Sequence, residues 1–556
     1  MTKLETSRRV RSFMVAVAAT LAMQGCAADR SKPPADPDSY TLETLVEGMP
    51  FHGIHGLTFD SEGQLFVGSV VGQSTYRVDP ETGEISLAVG PPDGCADDME
   101  FGPDGRRYWT QLFGREVVAA GPTGEIQVLA KDRTGINSIA FKQDGRLFAT
   151  EVFDGDALYE IDPKGEKEPR QILKDVGGLN GFDFGPDGKL YGPLWFKSVV
   201  ARVDVDSGEV TTVATGFETP AAANFDSKGR LFVLDTARGE VVNVDPATGE
   251  RKVVATLDPG LDNLAIDPQD RLFVTNMANN GIYQVDTETG NVRTVVEGKL
   301  AVPASLDLVE AADGREVLHV ADTFAYRTVD TANGEVKTIG RVYQNGLTNP
   351  TGVAVGATRT LIVFFFRGEG QVLENGTATI TAKLELETPY AALALDGDRF
   401  LVAELAPGKL VEVSAQGGES KTIAEGLSQP TSLARAGENR IYVAEAGSGQ
   451  LTEIDLASGE KKVIATGLSQ PEGIDITPAG NVVVAEVGAR AISRIDPKSG
   501  EKTVIAKDVA IGLPVPAGLP PVFIPTGVAV SKTGAVYFSS DVDSAIYRLA
   551  PAAAAK

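Results

Sequence analysis

Six positions in the first half of the chain recur about every 41 residues, and five of them carry side chains that bind cations or activate water. They are His55, Asp97, Asn137, Asn180, Ala221 and Asp262. Carboxylate and amide oxygens and imidazole nitrogens are common protein ligands of Ca²⁺ or Zn²⁺. Carboxylates and histidine also act as general bases. The regular spacing indicates that a structural repeat positions these residues.

The repeat has the pattern of four short strands. Residues 179–191 read LNGFDFGPDGKLY, in which a strand is followed by a Pro-Asp-Gly turn and a second strand. A third strand then leads to a turn such as 245–250 and to a fourth strand such as 252–256. Four strands per repeat with no helical periodicity are typical of a β-propeller blade. We therefore predict an all-β protein.

Twelve repeats follow one another along the chain. They begin near residues 54, 96, 136, 179, 220, 261, 303, 350, 389, 430, 471 and 525. We predict two tandem six-bladed β-propellers, at 40–290 and 291–556, because a single ring of twelve exceeds the usual four to eight blades. We expect the unpaired strand 42–46 to complete the blade begun at residue 261, and 292–296 to complete the last blade.

The first strands of propeller blades line a central channel, so the residues that start them gather at one end of it, which we call the mouth. The recurring polar residues are predicted to meet at the first mouth. The equivalent positions of the second propeller are Ala304, Thr351, Tyr390, Thr431, Glu472 and Thr526. The first mouth is the better candidate for a cation or substrate site, and polar residues that only bind water are the alternative. Substrate contacts are predicted for Asn137, Glu472 and Tyr390.

A family resemblance enters at residues 180–184, NGFDF. This stretch resembles the Asn-Gly segment of the six-bladed family of senescence marker proteins, gluconolactonases and related lactonases. The resemblance implies a divalent cation, Ca²⁺ or Zn²⁺, held by Asn180, and a substrate contact from Asn137. His55 stands where that family has a metal-binding glutamate, but Ala221 replaces its metal-binding aspartate, which is also the base.

Because Ala221 cannot bind a metal ion, we expect residues at other positions of the mouth to complete the set of ligands. The shifted metal ligands would be His55, Asp97, Asn180 and Asp262. Asp97, Asp262 or His55 would activate water for hydrolysis of a lactone or ester.

The second half resembles NHL-type repeats, for example in the Pro-Thr-Gly of residues 350–352, and such domains mostly bind proteins or other ligands. Glu404, Glu445 and Glu486 recur at the same step of 41 residues. They either form an acidic arc that binds a cation or basic ligand, or accept backbone amide hydrogens of neighbouring turns. The Pro- and Gly-rich insertion 511–524 lies over the second mouth, either as a lid or as rigid decoration.

The amino terminus predicts export. Residues 1–25 combine basic residues with an apolar core too short to span a bilayer, which is typical of a signal peptide. The sequence MQGC resembles the lipobox of bacterial lipoproteins, so we predict lipidation of Cys26, with ordinary secretion as the alternative. Residues 26–39 are predicted to be a tether. The protein is then expected in the periplasm or at the cell surface.

The net charge of −25 excludes nucleic acid as a favourable partner and leaves the lipid anchor as the only expected membrane contact. We predict a monomer that binds a small molecule or an envelope protein. The favoured function is a binding scaffold with two propeller faces, because the base of the resembled family is missing at Ala221. The alternative is a metal-dependent lactone or ester hydrolase with its site in the first propeller.

Overall fold

A computed structural model describes residues 36–37, 39–311, 313–344, 346–520 and 522–552. The predicted signal peptide and Cys26 lie outside the described residues. The described chain forms twelve four-stranded sheets and three single-turn 3-10 helices, Trp195–Lys197, Phe365–Arg367 and Val487–Ala489. This confirms the all-β class and the four-stranded blade. Within the described ranges, no helix is long and apolar enough to cross a membrane.

The sheets are numbered 1 to 12 in chain order, and each is antiparallel with its strands in sequence order except for sheet 12. The strands of sheets 1 to 6 are β2 (Ile54–Phe59), β3 (Leu65–Ser69), β4 (Ser74–Val78), β5 (Ile85–Val89); β6 (Met99–Phe101), β7 (Arg107–Gln111), β8 (Glu116–Ala120), β9 (Ile126–Ala130); β10 (Ile136–Phe141), β11 (Leu147–Glu151), β12 (Ala157–Ile161), β13 (Arg170–Lys174); β14 (Asp183–Phe184), β15 (Leu190–Leu194), β16 (Val199–Val203), β17 (Val210–Ala214); β18 (Pro220–Phe225), β19 (Leu231–Asp235), β20 (Glu240–Val244), β21 (Arg251–Thr256); and β22 (Leu261–Ile266), β23 (Leu272–Asn276), β24 (Gly281–Val285), β25 (Val292–Val296).

The strands of sheets 7 to 11 are β26 (Pro303–Glu310), β27 (Glu316–Asp322), β28 (Ala325–Asp330), β29 (Val336–Arg341); β30 (Gly352–Val355), β31 (Arg359–Phe364), β32 (Glu369–Glu374), β33 (Ile380–Glu385); β34 (Pro389–Ala394), β35 (Arg399–Glu404), β36 (Lys409–Ser414), β37 (Lys421–Ala424); β38 (Pro430–Arg435), β39 (Arg440–Glu445), β40 (Gln450–Asp455), β41 (Lys461–Thr466); and β42 (Pro471–Ile476), β43 (Val482–Glu486), β44 (Ala491–Ile495), β45 (Lys502–Lys507). Sheet 12 contains β46 (Val528–Val530), β47 (Val536–Ser540), β48 (Ala545–Pro551) and the first strand of the chain, β1 (Tyr40–Val46).

The burial of a strand depends on its position within its sheet. The second strand is the most buried, as in β3, where all five residues are inaccessible, while the fourth strand is largely exposed, as in β21. The turns between strands need left-handed backbone; Gly188 of the Pro-Asp-Gly turn has φ 70°. Hydrophobic side chains of adjacent sheets pack face to face, for example Phe148 of sheet 3 with Leu190 of sheet 4.

The first strands contact one another in two separate series. The strands β2, β6, β10, β14, β18 and β22 contact in this order, and β22 contacts β2 again. The strands β26, β30, β34, β38, β42 and β46 do the same, and β46 contacts β26. We call sheets 1 to 6 the first group and sheets 7 to 12 the second group.

The predicted partners of two strands are wrong. β1 pairs antiparallel with β48, from Tyr40 opposite Pro551 to Val46 opposite Ile546, and so completes sheet 12. Val292–Val296 instead pairs with Gly281–Val285 in sheet 6, so a boundary at residue 290 would divide that sheet. Strands β46 to β48 lack a fourth strand, and β1 supplies it. Sheet 6 already has its fourth strand in β25, so it has no open edge for β1 to complete. The first strand, β1, therefore belongs to the second group. The chain then forms all sheets of the first group, from β2 to β25, before it forms the rest of the second group from β26 onward.

The two groups are packed against each other through a hydrophobic cluster. It contains Val71 and Met277 of the first group, Phe324 of the second group, and Phe523 of the insertion 511–524. The ring of Phe523 lies 5.6 Å from that of Phe113 and 5.8 Å from that of Phe366, in edge-to-face contacts. The insertion is therefore held between the groups.

Buried polar contacts fix the junction further. Asn280 donates to the backbone oxygens of Phe51, Leu300 and Ala301 at 2.8 to 3.0 Å. Arg327 is buried and donates to Asp322 at 2.6 Å and to the backbone oxygen of Ala278 in the first group. Because these donors are shielded from water, a shift of one group against the other would leave them without partners.

Half-buried carboxylates also tie neighbouring sheets together along the channels. Asp183, Asp307 and Asp475 each accept a backbone amide hydrogen from the first strand of a neighbouring sheet. The donors, with their N···O distances, are Phe225 at 2.9 Å, Val355 at 2.7 Å and Val530 at 2.6 Å. Burial raises the pKa of Asp183 and Asp307 to about 6 and that of Asp475 to about 7, although these hydrogen bonds oppose the shift.

Deleting β1 should destabilise the protein. A chain that begins at residue 47 leaves the edge of β48 unpaired, whereas one that begins at residue 36 keeps β1. We expect the shorter chain to melt at least ~5 °C lower in scanning calorimetry, since each kcal/mol corresponds to a few degrees for domains of this size. Equal melting temperatures for the two chains would contradict the pairing of β1 with β48.

The half-buried carboxylates predict a loss of stability as pH rises. Their folded-state pKa values exceed the value of ~3.9 for unfolded Asp, so the stabilisation is complete below about pH 4 and is lost as pH rises through 6 to 7. We expect the melting temperature to fall between pH 5 and pH 8, and to fall less in Asp475→Asn. A melting temperature that rises over this range would refute the assignment.

Candidate functional site

One cavity of about 620 Å³ collects all six recurring positions of the first group. The residues are His55, Asp97, Asn137, Asn180, Ala221 and Asp262. Four of them are the second residue of a first strand, and Asp97 and Asn180 lie two and three residues before one, so the repeat brings all six to the same mouth. We call their five polar members, without Ala221, the polar floor.

The opposite wall of the cavity comes from the second group. Its residues include Phe324, Tyr343, Asn349, Thr351 and Arg367, together with Leu519 and Phe523 of the insertion. Both groups therefore line one cavity, which the spacing of the repeats alone does not predict. The apolar run Val522-Phe523-Ile524 inside a Pro- and Gly-rich insertion was the available signal, because such residues need a partner surface.

A chain of hydrogen bonds fixes the two amides of the polar floor. Asn137 Nδ2 donates to Asp97 Oδ2 at 2.6 Å. Ser138 Oγ lies 2.9 Å from Asn137 Oδ1 and 3.1 Å from Asn180 Oδ1, and the backbone amide of Gly181 donates to Asn180 Oδ1 at 3.0 Å. Among the described residues, the Asn180 Nδ2 group has no acceptor, so it is free to donate to a ligand.

The carboxylates of the polar floor influence each other. Burial raises the pKa of Asp97 well above its usual range, and the charges of Asp262 and Asp98 raise it further. Burial also raises the pKa of Asp262, and His55 opposes that shift. Two acids that repel each other in a site poor in water favour a state in which one is protonated and the other ionised.

Asp262 and His55 are the residues of the polar floor with unoccupied acceptors. The Asp262 carboxylate has no hydrogen-bond partner within the part of the chain that the structure describes. His55 Nδ1 lies 3.0 Å from the backbone oxygen of Gly53, which assigns the proton to Nδ1 and leaves Nε2 as an acceptor. The imidazole packs edge-to-face on Phe324, with 5.7 Å between ring centroids.

The four predicted cation ligands, His55, Asp97, Asn180 and Asp262, all line this cavity. Asn180 Oδ1 accepts the Gly181 amide hydrogen and shares the single hydroxyl hydrogen of Ser138 with Asn137 Oδ1. Among the described residues, no group of three or more His, Cys, Asp and Glu side chains is arranged to hold a metal ion. The divalent cation stays a prediction, and no step below depends on it.

Glu472 and Tyr390, predicted to contact substrate, are separated from this cavity. Glu472 accepts the backbone amide hydrogen of Thr526 at 2.6 Å, and burial, aided by Asp541, raises its pKa to about 8. Tyr390 is fully buried in the cluster that joins the groups, 5.7 Å from Phe365. The second mouth is thus filled by side chains, including those of the insertion.

The acidic arc is structural. Glu404, Glu445 and Glu486 accept amide hydrogens from Glu387 at 2.8 Å, Ser428 at 2.6 Å and Ser469 at 2.9 Å, respectively. This confirms the alternative in which these carboxylates satisfy backbone donors. Cys95 is also inert, since burial raises its thiol pKa to about 12.

Comparisons with known proteins confirm the predicted resemblance to lactonase-like propellers. A stretch of 229 residues is 26% identical to "Lactonase drp35" of Staphylococcus aureus, covering 36% of this chain and 68% of the relative. Residues 237–504 match the family described as "Outer membrane protein assembly factor BamB".

Solved structures with similar architecture include two enzymes. Virginiamycin B lyase from Staphylococcus aureus is 13% identical with a TM-score of 0.37, over 54% of this chain and 99% of that chain. A gluconolactonase from Xanthomonas campestris is 16% identical with a TM-score of 0.36, over 44% of this chain and 88% of that chain.

Proposed function

We propose that the protein hydrolyses a lactone or ester in the cavity between the two groups of sheets. The observation that carries the proposal is the polar floor, where an unpaired carboxylate, a second carboxyl with raised pKa and a free amide donor face one cavity. The similarity to a lactonase supports the same reaction class.

In the proposed mechanism, ionised Asp262 accepts a proton from water while the water oxygen attacks the carbonyl carbon. Asn180 Nδ2 donates to the oxygen that becomes negative, as in other sites with preorganised donors. The carbon–oxygen bond then breaks, and protonated Asp97 gives its proton to the departing oxygen. Proton transfer from Asp262 to Asp97 through solvent restores the starting state, so a lactone and water yield a hydroxy acid.

We propose further that the chain forms two six-bladed propellers. The two separate series of first-strand contacts support this division. The pairing of β1 implies that the first propeller covers about residues 54–296, and that the second combines 40–46 with 303–551. This arrangement differs from the expected boundary at residue 290.

A binding scaffold is the second candidate function. The match of residues 237–504 to the assembly-factor family favours it, because most of these residues lie in the second group, outside the polar floor. The two candidates share one cavity but differ in whether a ligand is consumed. If the protein hydrolyses no lactone or ester, the binding scaffold is the function that the structure supports.

The hydrolase proposal predicts that Asp262→Asn lowers kcat by about 100-fold or more, because the variant cannot accept a proton from water. Asp154→Asn is the matched control, since Asp154 is an exposed residue at the same cavity and has no step in the mechanism. The measurement is turnover of γ-butyrolactone and p-nitrophenyl acetate, followed by proton release and by absorbance.

The same assay tests the cation. We expect EDTA to leave the activity unchanged, and a loss that added Ca²⁺ or Zn²⁺ restores would establish the predicted metal instead. Equal loss in Asp262→Asn and Asp154→Asn would show that a general change in the cavity, and not proton transfer, causes the defect.

We propose that the protein is an exported lipoprotein of the cell envelope, on the basis of the lipobox resemblance at Cys26 and the match to an outer-membrane assembly family. Cys26→Ser is then expected to move the protein from the membrane fraction to the soluble fraction, as followed by immunoblotting. A membrane-bound Cys26→Ser variant would contradict lipidation as the anchor.

A further inference from the structure

Three aromatic side chains form a continuous part of the cavity lining. The rings of Phe153 and Trp195 are 5.4 Å apart, and those of Trp195 and Tyr343 are 5.0 Å apart, both edge-to-face. All three residues line the cavity. Phe153 and Trp195 belong to the first group and Tyr343 to the second. We call these three residues the aromatic wall.

The backbone at Phe153 is strained. Its φ is 68°, and the amide of Asp154 donates to the backbone oxygen of Val152 at 2.9 Å. A hydrogen bond between residues two apart around a positive φ is the mark of a γ-turn of the rare, strained kind. A bulky side chain in this conformation is a true outlier.

Tyr343, on the other side of the cavity, also has a positive φ. Its φ is 67°, and the amide of Gln344 donates to the backbone oxygen of Arg341 at 3.1 Å. Tyr343 therefore occupies the third position of a β-turn, where a positive φ normally requires glycine or asparagine. Two strained aromatic residues that meet at one tryptophan point to a function for the wall.

Packing alone does not account for the wall. The Phe153 side chain remains 41% exposed, so little apolar burial offsets the strain of its turn. The Tyr343 hydroxyl has no hydrogen-bond partner among the described residues, and burial raises its pKa to about 12. Trp195 and Tyr343 are only partly buried and Phe153 is exposed, so all three side chains present surface to the cavity.

We propose that the aromatic wall binds an aryl substituent of the substrate and so selects aryl-substituted lactones and esters. This inference rests on the proposed function, because the polar floor would hold the reacting carbonyl. Aromatic rings attract one another in edge-to-face and offset contacts, which a saturated substituent cannot make as well.

Trp195 makes the binding directly measurable. The chain has two tryptophans, and Trp109 is fully buried, so a ligand in the cavity changes the emission of Trp195 alone. The probes are γ-phenyl-γ-butyrolactam and unsubstituted γ-butyrolactam, which lack the ester bond and are not consumed. We expect the phenyl compound to change the fluorescence and to bind at least ~10-fold more tightly, as calorimetry would confirm.

Variants assign the preference to the wall. Trp195→Ala and Tyr343→Ala are expected to reduce the phenyl preference to about two-fold or less, whereas Tyr343→Phe, which keeps the ring, retains it. Tyr159→Ala is the matched control, because Tyr159 is a partly buried aromatic residue of the same group that is not part of the cavity lining. The ratio of KM values for the corresponding lactones provides the same comparison in catalysis.

The outcomes separate the two proposals. Phenyl-selective lactam binding without lactone turnover supports the wall and overturns the hydrolase. Turnover without phenyl preference, or a preference that survives both alanine substitutions, supports the hydrolase and overturns the wall. If the protein shows neither phenyl-selective lactam binding nor lactone turnover, both proposals are overturned.

Discussion

The pairing of β1 with β48 is the constraint on which the rest of the structure depends. Because the strand that completes sheet 12 precedes the whole first group, two chain connections join the groups instead of one. The buried contacts of Asn280 and Arg327 lie at this junction. Two connections and a shared apolar cluster hold the mouth of the first group against the second, so that residues of both groups line one cavity.

The repeat made much of this structure predictable. Positions such as Asn180 and Asp262 come together because successive sheets are equivalent, so spacing alone locates them. The partner of β1 was not predictable in the same way. Fourth strands such as β1 and β25 are both largely exposed and buried only at their last residue, and only the tertiary arrangement decides which sheet edge each of them meets.

The aromatic side of the site lies outside the repeat. Phe153 and Tyr343 are in turns with positive φ values, and the Trp195–Tyr343 contact between the groups is one that no local sequence pattern encodes. Glu472 and Tyr390 show the opposite case, since they stand at repeat positions but are covered by an insertion. The spacing of the repeats therefore predicts which residues lie at the same mouth. Whether that mouth is accessible depends on segments outside the repeat, such as the insertion 511–524.

The position of β1 also determines when the protein can finish folding. The first strand of the folded chain to leave the ribosome or the translocation channel has to wait for the last, some 500 residues later. The sheets of the first group can assemble during that time and shorten the effective loop between the two ends. Sheet 12 can therefore be completed only when the last strands have been made, so a chain that stops early keeps an open sheet edge that is accessible to proteases.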